Sequence, residues 1–327
     1  MKTKKKFKFW IIIRNTLLTL LAIVLVLFIS NQFLTAYEQE KYEAGGELVD
    51  VEGEKIHVYT KGEGKNTIVL LPGLGTAAPT LDYEPLINEM AEKNKVVVVE
   101  PFGYGWSDIT KKERTVENIV EEIRMALKKA DIEGPFILMP HSLSGIYSMY
   151  FANKYPEEVK AIVGIDPTLP GVLEYYGESA PTMPEYLSYL APTGIARLAV
   201  YMNPESILPI AEDGIYTESN LKMTKRLSAW NGYNKTIVNE ANEIESNIEV
   251  TEEMKFPADM PILIFTTKEN NKTDNDKNKV TFYETQLTHS PGSKVITLEG
   301  HHYLHWTQYK EMGKEVNEFI RSSGDNR

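Results

Sequence analysis

One serine of the chain stands in a setting that could make it a nucleophile. Ser142 lies within Pro140-His141-Ser142-Leu143-Ser144-Gly145, which follows the apolar run Phe136–Met139 and precedes a helical pattern over Ser144–Tyr155. A strand–turn–helix of this kind presents a serine hydroxyl at the edge of a sheet, where it can attack a carbonyl carbon. The amide of Leu143, at the start of the helix, can donate to the oxyanion that develops there. A capped helix start without chemistry is the alternative interpretation.

This segment resembles the nucleophile motif of the α/β-hydrolase fold family, which has the form G-x-S-x-G. Pro140 and Ser144 stand at its two glycine positions. The resemblance implies an α/β fold with a mostly parallel eight-stranded sheet, helices on both faces and an inserted helical cap. It also implies that Ser142 is the catalytic nucleophile and that the amide of Leu143 is one donor of the oxyanion hole.

Two further segments match motifs of the same family. Leu71-Pro72-Gly73-Leu74-Gly75 resembles its H-G-x-G loop, with Pro72 at the histidine position, and this implies the amide of Leu74 as the second oxyanion donor. The segment EPFGYGWSD, residues 100–108, resembles the D-x-x-G-x-G-x-S loop, with Glu100 in place of the acid. Its glycines favour a tight loop, so its implied role is to support the turn at Ser142.

A histidine-rich segment after the last predicted strand supplies the candidate base. The family pattern is G-H-x-x-H, and His302-Tyr303-Leu304-His305 fits it best, which leaves His301 at the glycine position. The resemblance implies that His302 takes the serine proton, with His301 as the alternative base. His305 is expected to act through packing only. The order of serine before histidine along the chain is that of the α/β-hydrolases.

The acid that would orient this histidine is ambiguous. Asn270 stands where the family usually carries an aspartate, after the seventh strand. An amide cannot stabilise an imidazolium as a carboxylate does. Asp166 follows the sixth predicted strand, where some members of the fold carry their acid, and we favour it. Glu269 is the alternative acid, and Asp274 or no acid at all stays open.

The elements that must position these residues follow from hydrophobic periodicity. Residues 49–59 predict a hairpin with a Glu-Gly-Glu turn, and the four consecutive valines of Lys95–Val99 predict a strand that is buried on both faces. Thr115–Ala130 predicts an amphipathic helix, with Asn118 and Glu122 facing solvent. Repeated alternation of strand and helix implies a mostly parallel sheet with helices on both faces.

This alternation stops after Asp166 and resumes at Pro261. The intervening segment contains several prolines and helix-like pieces but no pattern of a buried strand. The sequence therefore predicts an α/β-hydrolase core over residues 47–166 and 258–327, with a helical cap over residues 167–257. The apolar residues of the cap either line an acyl pocket or pack the cap onto the sheet.

Composition excludes several classes of function. The chain has 327 residues, no cysteine and a net charge of −11. The absence of cysteine excludes disulfides, thiolate metal sites and a lipid-modified cysteine anchor. Subtracting the six positive charges of residues 1–14 leaves −17 for the remaining 313 residues, and an acidic body of this kind is a poor ligand for nucleic acid. The motifs imply neither a metal nor an organic cofactor.

The N-terminal segment predicts a membrane anchor. Residues 1–9 are expected to form a basic cytoplasmic tail, residues 10–30 a transmembrane helix, and residues 31–46 a polar stalk. Twenty residues at about 1.5 Å of rise each cross a hydrocarbon layer of roughly 30 Å. Lysines before the span place the N-terminus inside and the catalytic domain outside. A cleaved secretory signal, which would give a secreted enzyme, and a buried helix of a soluble protein are the alternatives.

Together these features predict a membrane-anchored serine hydrolase that acts on a small-molecule ester, thioester or lactone with a small to medium acyl group. A serine at position 142 argues against the haloalkane dehalogenase and epoxide hydrolase branches of the family, which need an aspartate there. Two alternatives stay open: an amidase or aminopeptidase of the same fold, and a non-catalytic hydrolase-like binding protein, because a fold alone does not imply activity.

Overall fold

An eight-stranded sheet lies at the centre of the computed structural model, which describes residues 2–268 and 277–324. The strands are β1 (Glu47–Val51), β2 (Glu54–Lys61), β3 (Thr67–Leu71), β4 (Lys95–Glu100), β5 (Phe136–Pro140), β6 (Val159–Ile165), β7 (Ile262–Thr267) and β8 (Lys294–Leu298). Their order across the sheet is β1-β2-β4-β3-β5-β6-β7-β8. The pairs β1–β2 and β2–β4 are antiparallel and the other five are parallel, which confirms the mostly parallel eight-stranded sheet.

Helices cover both faces of this sheet and fill the segment between β6 and β7. They are α1 (Lys2–Lys41), α2 (Pro79–Asp82), α3 (Glu84–Met90), α4 (Val116–Lys129), α5 (Ser144–Lys154), α6 (Val172–Tyr176), α7 (Ile195–Met202), α8 (Glu218–Asn231), α9 (Lys235–Asn242), α10 (Ile244–Thr251), α11 (Lys279–Gln286) and α12 (Tyr309–Gly324). Short 3₁₀ helices occupy Pro156–Glu158, Glu185–Tyr189, Pro204–Ser206 and Leu304–Trp306.

The valines of β4 explain why this strand is apolar throughout. Val97 and Val99 belong to the core cluster that includes α4 and α5, whereas Val96 and Val98 belong to the cluster that includes α3 and α12. Successive side chains of a strand point to opposite faces, so a strand between two helical layers buries every residue. This agrees with the prediction from the valine run.

The prediction that Glu122 faces solvent is wrong. Helix α4 begins after Thr115, whose side chain accepts a hydrogen bond from the amide of Asn118 as the N-cap. Glu122 is buried, and its carboxylate lies 2.7 Å from the guanidinium of Arg114, which is fully buried as well. Hydrophobic periodicity assigns every charged side chain to the wet face, and it cannot detect a charge that is buried because it is paired.

The cap segment reaches down to the core through polar contacts. Glu240 of α9 accepts hydrogen bonds from the hydroxyl of Tyr104, at 2.7 Å, and from that of Tyr147, at 2.8 Å. Asn234, the N-cap of α9, donates to the carbonyl of Gly103 at 2.7 Å. Because Tyr104 and Gly103 belong to the loop after β4, the helices of the cap are fastened to the carboxyl edge of the sheet.

Helix α1 differs from the polar stalk that the sequence predicts for residues 31–46. The helix continues without a break to Lys41, and its last turns contact the cap rather than extending free. Within the described part of the chain, one helix has the length and composition to cross a membrane, and it is this one, over Phe7–Lys41, with its most apolar window wholly exposed. A signal sequence would pass the same test.

Candidate active site

The turn between β5 and α5 holds Ser142 in a strained backbone conformation. Its φ is 51°, in the left-handed region that side chains other than glycine rarely adopt. The amide of Ser142 donates to the carbonyl of Ile165 at 3.2 Å, and the amide of Gly145 donates to the carbonyl of Ser142 at 2.9 Å. Strain of this kind persists only where the surroundings fix it, and here β6 and the first turn of α5 do so.

The loop after β3 packs so closely against this turn that only a glycine fits at the contact. A Cβ atom on Gly73 would lie 2.7 Å from Nδ1 of His141 and 3.0 Å from Cβ of Ser142, so no larger residue fits. The hydroxyl of Ser144 donates to the carbonyl of Pro72 at 2.5 Å and ties the two segments together. Ser144 therefore adds a hydrogen bond that a glycine at this position would lack.

Two backbone amides beside Ser142 have no acceptor within the residues that the structure describes. They are those of Leu74 and Leu143, the two residues that the sequence predicts as oxyanion donors. Buried or half-buried amides are normally paired, so unpaired amides beside a serine are suited to receive the oxygen of a bound substrate.

The structure brings His302 and Asp166 together. Nδ1 of His302 lies 2.6 Å from Oδ2 of Asp166. Because the ionised carboxylate can only accept, the neutral imidazole carries its proton on Nδ1 and keeps the lone pair of Nε2. Asp166 is buried, whereas 40% of the His302 side chain is exposed. Asp166 is thus shielded from solvent, whereas His302 is accessible to it.

Three further side chains hold the carboxylate of Asp166. Thr266 donates to Oδ1 at 2.7 Å, the ammonium of Lys279 lies 2.7 Å from Oδ2, and Tyr283 reaches Oδ1 at 3.4 Å. Burial disfavours the charged carboxylate, but the hydrogen bond from His302 and the charge of Lys279 outweigh it and hold the pKa of Asp166 well below its usual range. Asp166 is therefore ionised at neutral pH.

A buried neutral histidine lies beneath His302. Nε2 of His141 lies 3.1 Å from the carbonyl oxygen of His302, and the two rings are 4.7 Å apart. Since a carbonyl can only accept, His141 donates through Nε2. Burial lowers the pKa of His141 far below its ordinary value, and the neighbouring His305 and His302 act in the same direction. His141 joins the turn at Ser142 to the loop that carries His302.

The other two histidines of this loop have different partners. Nδ1 of His301 accepts a hydrogen bond from the amide of Tyr303 at 3.1 Å. The prediction that His305 acts through packing only is incomplete, because its Nε2 lies 2.6 Å from Oδ2 of Asp82. Asp82 also accepts from the indole of Trp306 at 2.8 Å. Asp82 lies 223 residues before His305, so no local pattern could reveal the pair.

The loop after β4 is held by a cluster of buried hydrogen bonds around Glu100. Glu100 accepts hydrogen bonds from His57 Nδ1 at 2.8 Å, from the amide of Thr80 at 3.0 Å and from the amide of Trp106 at 2.8 Å. Burial raises the pKa of Glu100, yet His57 and the two amides outweigh it and leave that pKa lowered. The side chains of His57 and Glu100 are both fully buried, and support of the turn at Ser142 by this loop stays a prediction.

The other two candidates for the acid, Glu269 and Asp274, lie outside the described residues, as does Asn270 at the usual position of the aspartate. The sequence patterns do not predict the roles of Thr266 and Lys279, each of which lies 2.7 Å from a carboxylate oxygen of Asp166. Thr266 carried a weak signal, as a polar residue within the apolar strand β7. Lys279 carried none, since a lysine at the start of a helix is ordinary.

The fold and the site together define a class of protein. A cap over the carboxyl edge of a parallel sheet, a serine in a left-handed turn between strand and helix, and a histidine–aspartate pair beside it are the features of an α/β hydrolase. The chain belongs to the α/β-hydrolase fold family, which matches it over residues 66–308. Membership of this family supports hydrolase activity.

Individual similar proteins add little about the activity of this chain. The chain is 30% identical over 323 residues to YbdG, an uncharacterised protein of Bacillus subtilis strain 168, and the match covers 95% of this chain and 98% of that protein. An epoxide hydrolase from Vigna radiata has a similar structure, with a TM-score of 0.64, 18% identity and coverage of 86% and 99%. A thioesterase domain from the curacin biosynthetic pathway is similar with a TM-score of 0.55 and 13% identity. The match covers 84% of this chain and 100% of that domain. At these identities the structural likeness shows the fold alone.

Proposed function

We propose that this chain is a serine hydrolase that transfers the acyl group of a small-molecule ester, thioester or lactone to water. The observation that carries the proposal is the 2.6 Å hydrogen bond from His302 to Asp166 beside the turn that holds Ser142. This bond fixes the imidazole in the tautomer that accepts a proton at Nε2. The proposed acyl group is small to medium in size.

The proposed reaction begins with proton transfer and attack. Nε2 of His302 takes the hydroxyl proton of Ser142 while its oxygen forms a bond to the carbonyl carbon of the substrate. The carbonyl π bond breaks, and the negative charge on its oxygen is received by the amides of Leu74 and Leu143. Asp166 stabilises the imidazolium. The imidazolium then gives its proton to the leaving oxygen or sulfur as that bond breaks.

The second half of the reaction repeats these steps with water. Water gives a proton to His302 and attacks the acyl carbon, and the bond to Ser142 breaks as the serine oxygen recovers the proton. The products are a carboxylic acid and an enzyme in its original state.

The identity of the nucleophile separates this reaction from that of an epoxide hydrolase. Attack of a carboxylate on an epoxide gives an ester, which water can cleave at its acyl carbon. Attack of Ser142 on an epoxide would give an ether, which has no acyl carbon for water to attack. The serine therefore favours acyl substrates, in which the covalent intermediate can be hydrolysed.

We also propose that α1 anchors the enzyme in a membrane, with its N-terminus inside and the hydrolase body outside. The support is the apolar, exposed window of the helix and the lysines before it. Added protease should remove the body from intact spheroplasts and leave a small membrane stub. Protection of the body would overturn this orientation.

A fluorophosphonate probe tests the catalytic proposal without a known substrate. We expect the wild type to be labelled, Ser142→Ala to lose all labelling, and Ser144→Ala, the matched control in the same turn, to keep it at a lower rate. A folded wild type that takes no label would identify a non-catalytic hydrolase-like protein. Labelling of a folded Ser142→Ala would place the nucleophile elsewhere.

A further inference from the structure

The last turns of α1 are fixed to the cap by a set of polar contacts. The side-chain amide of Asn31 donates to the carbonyl of Ala191 at 2.9 Å, and the side-chain amide of Gln32 donates to the carbonyl of Pro192 at 3.2 Å. Arg197 of α7 donates to Asn31 at 2.8 Å and to Thr35 at 2.9 Å. Asn31 is almost completely buried in this contact. The cap and the helix therefore form one continuous interface.

A partly buried ion pair strengthens the same interface. The guanidinium of Arg197 lies 2.8 Å from the carboxylate of Glu38, and both side chains are only 12% exposed. The indole of Trp230, in α8, donates to the same carboxylate at 2.8 Å. Charges that are buried and paired in this way are costly to separate, so the position of α7 relative to α1 is well determined.

The contact fixes the depth of α7 along α1. A Cβ atom on Gly194, the residue before α7, would lie 3.2 Å from the carbonyl oxygen of Leu27 and 3.0 Å from Cβ of Asn31. These two residues lie on either side of residue 30, where the apolar span ends. At about 1.5 Å of rise per residue, the start of α7 is within a few ångströms of the level at which α1 would leave a bilayer.

The cap exposes an apolar face along α7, the helix that starts at this level. Ile195, Leu198, Tyr201 and Met202 of α7 are exposed, and Met202 is 80% exposed. On a helix, residues that follow Ile195 by three, six and seven positions lie on the same face as Ile195. This face is roughly opposite the buried Val200. The exposed aromatic side chains of Tyr186 and Tyr189, in the preceding 3₁₀ helix, extend the patch. We call these six residues the α7 face.

The segment around the α7 face is nearly free of charge. Residues 186–210 contain two charged side chains, Arg197 and Glu205, in a chain whose net charge is −11. Arg197 is already paired with Glu38 of α1. A large exposed apolar patch marks a surface that meets a partner or a membrane, and tyrosines beside aliphatic residues are typical of the membrane interface.

We propose that the α7 face lies in the interface of the same bilayer that α1 crosses, so that the cap touches the lipid and the enzyme is held by two contacts rather than one. The inference depends on the membrane insertion of α1 proposed above and is independent of the catalytic proposal. The rigid contact between α1 and the cap sets the depth, and the uncharged apolar surface removes the penalty for entering the headgroup layer.

The absence of cysteine makes a site-specific test possible in the full chain. Single variants Met202→Cys, Ile23→Cys and Lys128→Cys are labelled with an environment-sensitive fluorophore and reconstituted into phosphatidylcholine vesicles that contain a lipid with a shallow nitroxide quencher. Ile23 lies in the apolar span. Lys128 is exposed and borders the same cavity as Phe136. Phe136 is the first residue of β5, so Lys128 lies near the edge of the sheet opposite the cap. All three positions are exposed, so the substitutions leave the fold intact.

We expect the Met202 probe to lose roughly half of its fluorescence to the nitroxide lipid, since an interfacial face lies about 5–10 Å into the headgroup and acyl boundary. The Ile23 probe should also be quenched and the Lys128 probe should not. A Met202 probe that is quenched no more than the Lys128 probe overturns the proposal. This holds even if its emission is blue-shifted, which would indicate that a second copy of the chain covers the face. If the Ile23 probe also escapes quenching, the anchoring proposal falls and this inference falls with it.

Discussion

Two histidine–aspartate pairs in this protein have the same separation and opposite surroundings. His302 lies 2.6 Å from Asp166, and His305 lies 2.6 Å from Asp82. The side chain of His302 is 40% exposed, whereas that of His305 is not exposed at all. His305 instead packs against the ring of Tyr83, at 4.6 Å between centroids.

The comparison shows that a short histidine–carboxylate bond does not by itself make a catalytic pair. Catalysis needs the second ring nitrogen to reach a nucleophile and a substrate. His302 meets part of this need, since 40% of its side chain is exposed and its ring lies 4.7 Å from that of His141, the neighbour of Ser142 in the chain. The Nδ1 atom of His305 is buried and has no hydrogen-bond partner in the described part of the protein. We therefore expect loss of the first pair to affect turnover and loss of the second to affect stability.

The largest expected effect is that of Asp166→Asn on turnover. The amide cannot stabilise the imidazolium of His302 and disturbs its tautomer, so kcat should fall by roughly 10⁴. Turnover of an activated ester, normalised by the melting curve of each variant, measures this. The matched control is Glu269→Gln, which should stay within about tenfold of the wild type. A dead Glu269→Gln beside an active Asp166→Asn would reverse the assignment of the acid.

The second prediction concerns the buried pair. Asp82→Asn removes a charge that accepts from both His305 and Trp306, and the free energy of unfolding should fall by about 1–3 kcal/mol because one buried donor loses its best acceptor. Turnover per folded molecule should change little. Thermal or urea unfolding measures the first quantity and ester hydrolysis the second. A loss of kcat comparable to that of Asp166→Asn would mean that both pairs serve the chemistry.

The third prediction concerns Lys279, whose ammonium lies 2.7 Å from the carboxylate of Asp166. Lys279 helps to hold the pKa of Asp166 low, so Lys279→Gln should raise that pKa. A carboxylate whose folded pKa lies below its unfolded value stabilises the protein above the unfolded pKa, and this stabilisation is lost as pH falls through the folded pKa. Near pH 7 the variant should be less stable by up to about 1 kcal/mol.

The pH dependence and a double variant make this third test specific. Melting temperatures of Lys279→Gln and the wild type should differ at pH 7 and converge only in strong acid, as pH falls through the folded pKa values of Asp166 in the two proteins. In an Asp166→Asn background, Lys279→Gln should have no such pH-dependent effect. A constant difference at all pH values would mean that Lys279 acts through packing rather than through its charge.

The smallest expected effect is that of His301. Its Nδ1 accepts from the amide of Tyr303 in its own loop, so His301→Ala should reduce turnover by no more than about threefold, the value of a weak local hydrogen bond. His302→Ala, measured in the same ester assay, should abolish it. The reverse ranking of the two variants would move the role of the base to His301.

Much of the fold could be predicted from the sequence because its signals are local. The consecutive valines of β4 and the serine motif after β5 each lie within ten residues. The choice between Asp166 and Glu269 could not be made in this way. Strands β6 and β7 are parallel neighbours, so their carboxyl ends lie side by side, and in the sequence one candidate acid follows each strand.

Long-range pairing explains the remaining errors. Glu122 is buried because Arg114 reaches it, and residues 31–41 are helical and fixed in place because Arg197, more than 150 residues later, binds to them. A polar residue reads as solvent-exposed in any local pattern. Its partner, and therefore its burial, is decided by the folded chain.

The backbone of the site has a consequence for protein engineering. Ser142 and Asp166 both adopt positive φ, of 51° and 41°, and each costs on the order of 1–3 kcal/mol of folding free energy. Glycine would adopt either conformation without this cost. Ser142→Gly is therefore a candidate for a heat-resistant but inactive variant, whereas Asp166→Gly would also lose the contacts of the carboxylate with His302, Thr266 and Lys279. A selection for thermal resistance alone would favour loss of the serine, so heat resistance and catalysis must be selected together at position 142.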